Sequence, residues 1–212
     1  MRFDDVIRRL AVIPDDLPPP AADLMPTIVG GMTRTSPRFP PPDRPGRPAG
    51  VLVLLYPDEQ GVARVVLTER SSRDGHHSGE VSFPGGKSEP GDIDIVATAL
   101  REAAEEIGLD PAAAGLQVVG RLETFWIPVS DYAVTPVVAA AARRPILSAS
   151  PDEVARIVEP PVARFLPDAP IAIVERTIGG WPLRYGAYDV EGLSVWGATA
   201  RILSQLGGLL GR

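Results

Sequence analysis

The chain reads as an α/β sandwich, a mixed sheet with helices covering both faces, and three features predict it. Short runs rich in Val, Leu and Ile, bounded by Gly, Pro and Asp, recur between Gly50 and Val190. Two longer segments instead carry their apolar residues at helical spacing. With 212 residues the chain is long enough for one domain with a substantial core and some peripheral segments.

In chain order, Phe3 to Val12 places Phe3, Val6, Ile7, Leu10 and Ala11 on one side and Arg8 and Arg9 on the other, a short amphipathic helix ended by Pro14. From Pro14 to Pro48 lie eleven of the 24 prolines, so this backbone is expected to be extended and poor in hydrogen-bonded structure, a strap or leader rather than a partner-binding motif. It has few apolar anchors beyond its first helix, and residues 1–45 are expected to be dispensable. We divide the chain into a leader, residues 1–49, and a folded domain, residues 50–212.

Val51 to Tyr56 and Val62 to Arg70 read as strands joined at Asp58 to Gly61, followed by a polar loop, Ser71 to Glu80, and a short strand, Val81 to Phe83. A glycine turn leads into a helix that Asp92 or Asp94 can cap and Gly108 closes. Gln117 to Phe125 and Ala133 to Ala142 are strand-like, joined by a loop, Trp126 to Tyr132, that could line a pocket. Asp152 to Val158 reads as helix, Ile171 to Ile178 and Pro182 to Val190 as a hairpin around Gly179 and Gly180, and Ser194 to Leu206 as an amphipathic helix with a stripe of Val195, Ala198, Ile202 and Leu206.

The net charge of −6 disfavours broad nucleic-acid binding, while a small phosphorylated substrate stays open because a bound metal reverses the local sign. The absence of Cys excludes disulfides, thiol nucleophiles and thiolate metal sites. No run approaches the roughly 20 apolar residues that span a bilayer, and no apolar signal core opens the chain, so a soluble, cytoplasmic protein without membrane contact is expected. A homodimer is compatible with all of this.

The chemistry concentrates in FPGGKSEPGDIDIVATALREAAEEIGL, Phe83 to Leu109. Val96, Ala99, Leu100, Ala103 and Ile107 define the buried stripe of a helix, and Glu102, Glu105 and Glu106 fall within an arc of about 100° nearly opposite, sharing an exposed face. Arg101 precedes Glu105 by four residues and can pair with it. Three carboxylates this close repel one another, and a hard divalent cation with oxygen ligands turns that repulsion into affinity. Mg²⁺ keeps several waters and takes its remaining ligands from carboxylates and substrate phosphates, so the pattern points to phosphate chemistry. REAAEE alone also suits a solvated helix face, so the flanking residues decide.

Gly86, Arg101, Glu102, Glu105, Glu106, Gly108 and Leu109 resemble the box of the Nudix hydrolases, in which a glycine, an acidic residue, then RE, EE and G with an apolar residue follow at set spacings. Asp92 stands where the box usually has Glu, eight residues rather than seven before Arg101. Upstream, Leu67, Thr68, Arg70, Ser71, Gly79, Phe83, Pro84, Gly85 and Gly86 are similar to the motif of the coenzyme A diphosphatases within that family, with Val66 a mild change and Gly75 replacing an arginine. Trp196 to Leu203, WGATARIL, is similar to that subfamily too.

The resemblance implies a Nudix-type α/β/α sandwich with a central mixed sheet. It further implies metal-dependent hydrolysis of coenzyme A or its thioesters to 3′,5′-ADP and 4′-phosphopantetheine. Mg²⁺ or Mn²⁺ would be bound by Glu102, Glu105, Glu106 and the carbonyl of Gly86, with Glu102, Arg101 and Glu105 as the catalytic set. Glu102 is the candidate general base, with Glu123 and Glu153 in reserve. Arg70 and Arg73 suit bidentate phosphate contacts, and the glycine turn offers backbone N–H groups to an anion, so substrate binding falls to Arg70, Ser71, Arg73 and Gly85. His76 and His77, the only histidines, point apart in an extended loop and make a poor chelate, contacting substrate at most. A Nudix domain acting on a dinucleotide or nucleotide sugar, or one that binds a ligand without catalysis, remains the alternative.

Overall fold

A computed structural model describes residues 1–29, 46–71, 79–178 and 180–212. In chain order the elements are α1 (Phe3–Leu10), β1 (Thr27–Ile28), β2 (Arg47–Pro57), β3 (Ala63–Val65), β4 (Leu67–Arg70), β5 (Val81–Ser82), β6 (Gly85–Lys87), α2 (Ile95–Ile107), α3 (Pro111–Ala114), β7 (Gln117–Arg121), β8 (Phe125–Ile127), β9 (Tyr132–Ala140), β10 (Val154–Val158), β11 (Ala172–Ile178), β12 (Trp181–Val190), β13 (Leu193–Val195) and α4 (Gly197–Leu210). The largest sheet runs β3-β2-β9-β7, with β6 beside β2 and β8 beside β9. β2 and β9 are parallel while their other partners are antiparallel, so the sheet is mixed.

Alternation along β2 sorts the core into two layers. Leu52, Leu54 and Tyr56 join Val137 and Ala139 of β9 against Ala99, Ala103 and Ile107 of α2. Val53 and Leu55 point the other way with Val134 and Val138, into the cluster that holds Leu203, Leu206 and Leu210 of α4 and Val6 and Leu10 of α1. The α/β class expected from the sequence is the class observed, with helices on both faces of a mixed sheet. Among the described residues, no helix is long and apolar enough to cross a membrane.

Three elements differ from expectation. The run Val62 to Arg70 splits at Val66: β3 pairs with β2, whereas β4 leaves for a separate three-stranded sheet, β10-β4-β5. Asp152 to Val158 is not helical; its β-branched residues form β10, antiparallel to β4 from Val154 opposite Arg70 to Val158 opposite Leu67. Ser194 and Val195 belong to β13, and α4 starts after the extended Trp196 and is buried far beyond a single stripe.

The leader departs most from expectation. Leu24, in a single helical turn over Ala22–Leu24, is fully buried with Val6 and Leu10, while β1 pairs with β12 and the Ala21 N–H donates to Ser204 Oγ at 2.9 Å. β2 also starts at Arg47, ahead of Gly50. Proline removes local hydrogen bonding, but it does not prevent an extended segment from burying the apolar residues between its prolines. Leu24→Ala is therefore expected to lower the urea-measured unfolding free energy by about 2–5 kcal/mol. A loss below about 0.5 kcal/mol, as at an ordinary surface site, would show that the segment is only laid on the surface.

Candidate active site

The site is organised by how closely α2 approaches the glycine turn. Asp94 caps α2, its side chain accepting from the Ala97 N–H at 2.8 Å, and Gly108 ends the helix in the left-handed conformation at φ 62°. β6 pairs with β2 so that Gly85 lies opposite Val51 and Gly86 opposite Gly50. A Cβ on Gly86 would stand 2.6 Å from the carboxylate of Glu102, and one on Gly50 would stand 2.7 Å from the Ile95 carbonyl. Gly50 lets the helix backbone lie this low, and Gly86 leaves room for the Glu102 carboxylate.

Asp92 is the latch of the connecting loop. Arg101 donates to it from Nε at 3.0 Å and from Nη2 at 3.2 Å, Thr98 Oγ1 donates at 2.9 Å, and the Glu89 N–H at 2.9 Å. The Arg101 hydrogen bond is the chief reason the Asp92 carboxyl lies well below the usual carboxylate range. The extra residue before Arg101 is thus accommodated with the acidic partner still in place, and Asp92 faces arginine. Arg101 Nη1 reaches Glu102 Oε1 at 3.0 Å and Glu105 Oε2 at 3.1 Å, and Nη2 also donates to the Lys87 carbonyl at 3.0 Å. The pairing of Arg101 with Glu105 expected from their spacing is present.

The three helix glutamates do not share an exposed face. Glu106 is 4% exposed, the side chain of Glu102 is 13% exposed, and only Glu105, at 55%, stands in water. The helix is covered on that side by β6, and near its end the Ser150 N–H donates to the Glu106 main-chain carbonyl at 2.8 Å. The Gly85 N–H donates to Glu106 Oε2 at 3.3 Å, so it is directed at this carboxylate. Burial pushes the Glu106 carboxyl up to about 7; the Arg70 charge and the Gly85 N–H oppose the shift, and Glu102 and Glu153 add to it. Burial likewise raises Glu102, against the pull of Arg101 and with the repulsion of Glu105 and Glu153.

Glu153, a reserve candidate in a stretch read as helix, therefore stands within the electrostatic reach of both Glu102 and Glu106. Its place follows from the pairing of β10 with β4: the Ser71 N–H donates to the Glu153 carbonyl and Ser71 Oγ to the Asp152 carbonyl, each at 2.9 Å. Only its closeness to Pro151 and Asp152, a turn signal, could have marked it as a loop residue. Arg70 and Ser71 lie at this site, whereas Glu123 lies elsewhere, against Arg201 of α4. Arg73, Gly75, His76 and His77 fall outside the described residues.

Among the described residues, no three carboxylate or imidazole side chains are already gathered as a metal site, because Arg101 holds Glu102 and Glu105 while Glu106 turns to Gly85. The donors are nevertheless all oxygens, mutually repelling and partly withdrawn from water, a set that suits a hard divalent cation.

Residues 46–168 match the NUDIX domain, and the chain belongs to the Nudix hydrolase family. It is 39% identical over 183 residues to Nudix hydrolase 15, mitochondrial, of Arabidopsis thaliana, covering 82% of this chain and 63% of that protein. To Nudix hydrolase 22, chloroplastic, of the same plant it is 40% identical, covering 73% of this chain and 52% of that protein. To the uncharacterized Nudix hydrolase NudL of Photorhabdus laumondii it is 36% identical, covering 67% of this chain and 74% of that protein. The chain thus spans between about half and two thirds of the plant relatives it matches.

Glu106 gives a pH test. A folded-state value raised from 4.5 to about 7 means that the folded protein holds this proton more tightly than the unfolded chain. The associated stability is full below 4.5 and lost as pH rises towards about 7, a change on the order of 3 kcal/mol. In chelator-treated protein, Tm measured across that window should fall less steeply for Glu106→Gln than for wild type, and superimposable profiles would contradict the burial of a titrating carboxyl.

Proposed function

We propose that this protein is a metal-dependent pyrophosphohydrolase that cleaves the diphosphate of coenzyme A or its thioesters, yielding 3′,5′-ADP and 4′-phosphopantetheine or its acyl form. The observation that carries the hydrolase reading is the approach of Glu102 and Glu106 of α2 to the Gly85–Gly86 turn in a chain whose residues 46–168 match the NUDIX domain. The substrate rests on the run from Leu67 to Gly86, whose motif residues brace the site. Thr68 is buried against Ser82, Phe83 sits in the core, and the Pro84 carbonyl accepts from Leu52 at 2.8 Å.

Mg²⁺ or Mn²⁺, held by Glu102, Glu105, Glu106 and the Gly86 carbonyl, would neutralise charge on the diphosphate and lower the pKa of the attacking water. Glu102, raised by burial, takes the proton of that water as general base, with Glu153 beside it. Arg101 is a positioning residue: each of its three guanidinium nitrogens is engaged, and together they hold Glu102, Glu105 and the Asp92 loop in one arrangement. Arg70, in the field of Glu106, binds phosphate with Arg73, whereas Ser71 and Gly85, named with them from the sequence, donate to the Glu153 and Asp152 carbonyls and to Glu106. The attacking oxygen bonds to phosphorus as the bridging P–O bond breaks, and the leaving phosphate departs with the second product.

A panel of coenzyme A, 3′-dephospho-coenzyme A, a dinucleotide and a nucleotide sugar, with products identified by mass, tests the substrate. The highest kcat/KM is expected for coenzyme A or a thioester; preference for a nucleotide sugar would overturn that choice and leave the hydrolase reading. Glu106→Gln should keep the circular dichroism spectrum and lose turnover by orders of magnitude, while near-normal activity at saturating Mg²⁺ would remove Glu106 from the ligand set. Arg73→Ala is expected to reduce kcat/KM for coenzyme A selectively over its 3′-dephospho form, and equal losses on both would show that Arg73 does not read the 3′-phosphate.

A further inference from the structure

Thr98 is fully buried in α2 and lies outside the residues that resemble the family's box. A threonine inside a helix ordinarily returns its hydroxyl to the carbonyl four residues back. Here that carbonyl, of Asp94, stands 3.4 Å from Oγ1, while Asp92 Oδ2 stands at 2.9 Å. A hydroxyl has one proton to donate, and the charged oxygen at the shorter distance takes it. The side chain of Thr98 is therefore directed out of its own helix and onto the loop that precedes it.

On that loop Asp92 Oδ2 also accepts from the Glu89 N–H at 2.9 Å and from Arg101 Nη2 at 3.2 Å, while Oδ1 accepts from Arg101 Nε at 3.0 Å. The Asp92 side chain is only 6% exposed, so water is poorly placed to replace a donor that is lost. Thr98 precedes Arg101 by three residues, which sets both on one face of α2 and lets them grip the same carboxylate. Aspartate is one methylene shorter than the glutamate usual at this place in the box, and the loop that carries it is one residue longer. A second side-chain donor on the helix holds this shorter acid against the arginine. Beyond the guanidinium, Nη1 reaches Glu102 Oε1 at 3.0 Å and Glu105 Oε2 at 3.1 Å. A planar group gripped along one edge by Asp92 presents its other edge to those glutamates in one orientation.

We propose that Thr98 is a positioning residue that, through Asp92, sets the orientation of the Arg101 guanidinium and with it the places of Glu102 and Glu105. The consequence for turnover rests on the hydrolase reading, whereas the hold on Arg101 does not. Valine keeps the branched shape of threonine and removes the donor, and serine keeps the donor and removes the methyl, so the two variants separate the hydrogen bond from packing.

The solvent exchange of the Arg101 Nε–H, followed by heteronuclear NMR on the full chain and assigned by its loss in Arg101→Lys, reads the hold on the guanidinium directly. In Thr98→Val this exchange should quicken about tenfold, and kcat on the best substrate of the diphosphate panel should fall about tenfold with KM changed by less than about twofold. Thr98→Ser should match wild type in both measurements. Thr98→Ala should behave as the valine variant does and replaces it if valine prevents folding. Exchange unchanged without the hydroxyl, or quickened equally in Thr98→Ser, would overturn the hold of Thr98 on Arg101. Quickened exchange with unchanged kcat, in a protein whose wild type turns over the panel, would overturn the positioning role. Wild type that turns over none of the panel overturns the hydrolase reading, and exchange quickened in Thr98→Val but not in Thr98→Ser then still upholds the hold on Arg101.

Discussion

The rest of the structure depends on the close approach of α2 to the backbone of β2 and β6. Neither Gly50 nor Gly86 could carry a side chain without driving a Cβ to within 3 Å of the helix backbone or of Glu102. Held this near, Glu102 and Glu106 leave water and come under the influence of Glu153, and their proton affinities rise.

Withdrawing carboxylates from water is unfavourable unless other groups answer them. Arg101 answers Glu102 and Glu105 directly and is itself anchored by Asp92 and the Lys87 carbonyl. Glu106 has a weaker answer, one backbone N–H and the Arg70 charge, which is why burial dominates its shift. The arrangement leaves a surplus of oxygen donors beside the glycine turn, stable as a fold and suited to a cation.

The opposite face of the sheet supplies the counter-support. α4 is buried over most of its circumference, fastened through Thr199 to β5 and through Ser204 to the leader. α1 is tied to the end of α4 by Arg9, whose Nη1 donates to the Leu210 carbonyl at 2.8 Å. The strands of the largest sheet are thereby packed from both sides, and the leader contributes to that packing with Leu24.

Sequence by itself determined the mixed α/β class, the helix after the glycine turn with its Asp94 and Gly108 ends, and the Arg101–Glu105 pair. Each is local: helical period, capping chemistry and spacing act within a few residues and are written in the order of the letters. Only the tertiary structure decided that Asp152 to Val158 is a strand, because its partner β4 lies far away in sequence and β-branched residues adopt the pairing offered to them. It also decided that Glu106 is buried, since a helix face opposite the apolar stripe looks solvent-facing until a second surface covers it, and here β6 supplies that surface. The burial of Leu24 in the leader is another such case. A proline-rich segment makes few bonds of its own, and whether Leu24 is buried depends on a core cluster that also holds residues of α1 before it and of α4 far after it.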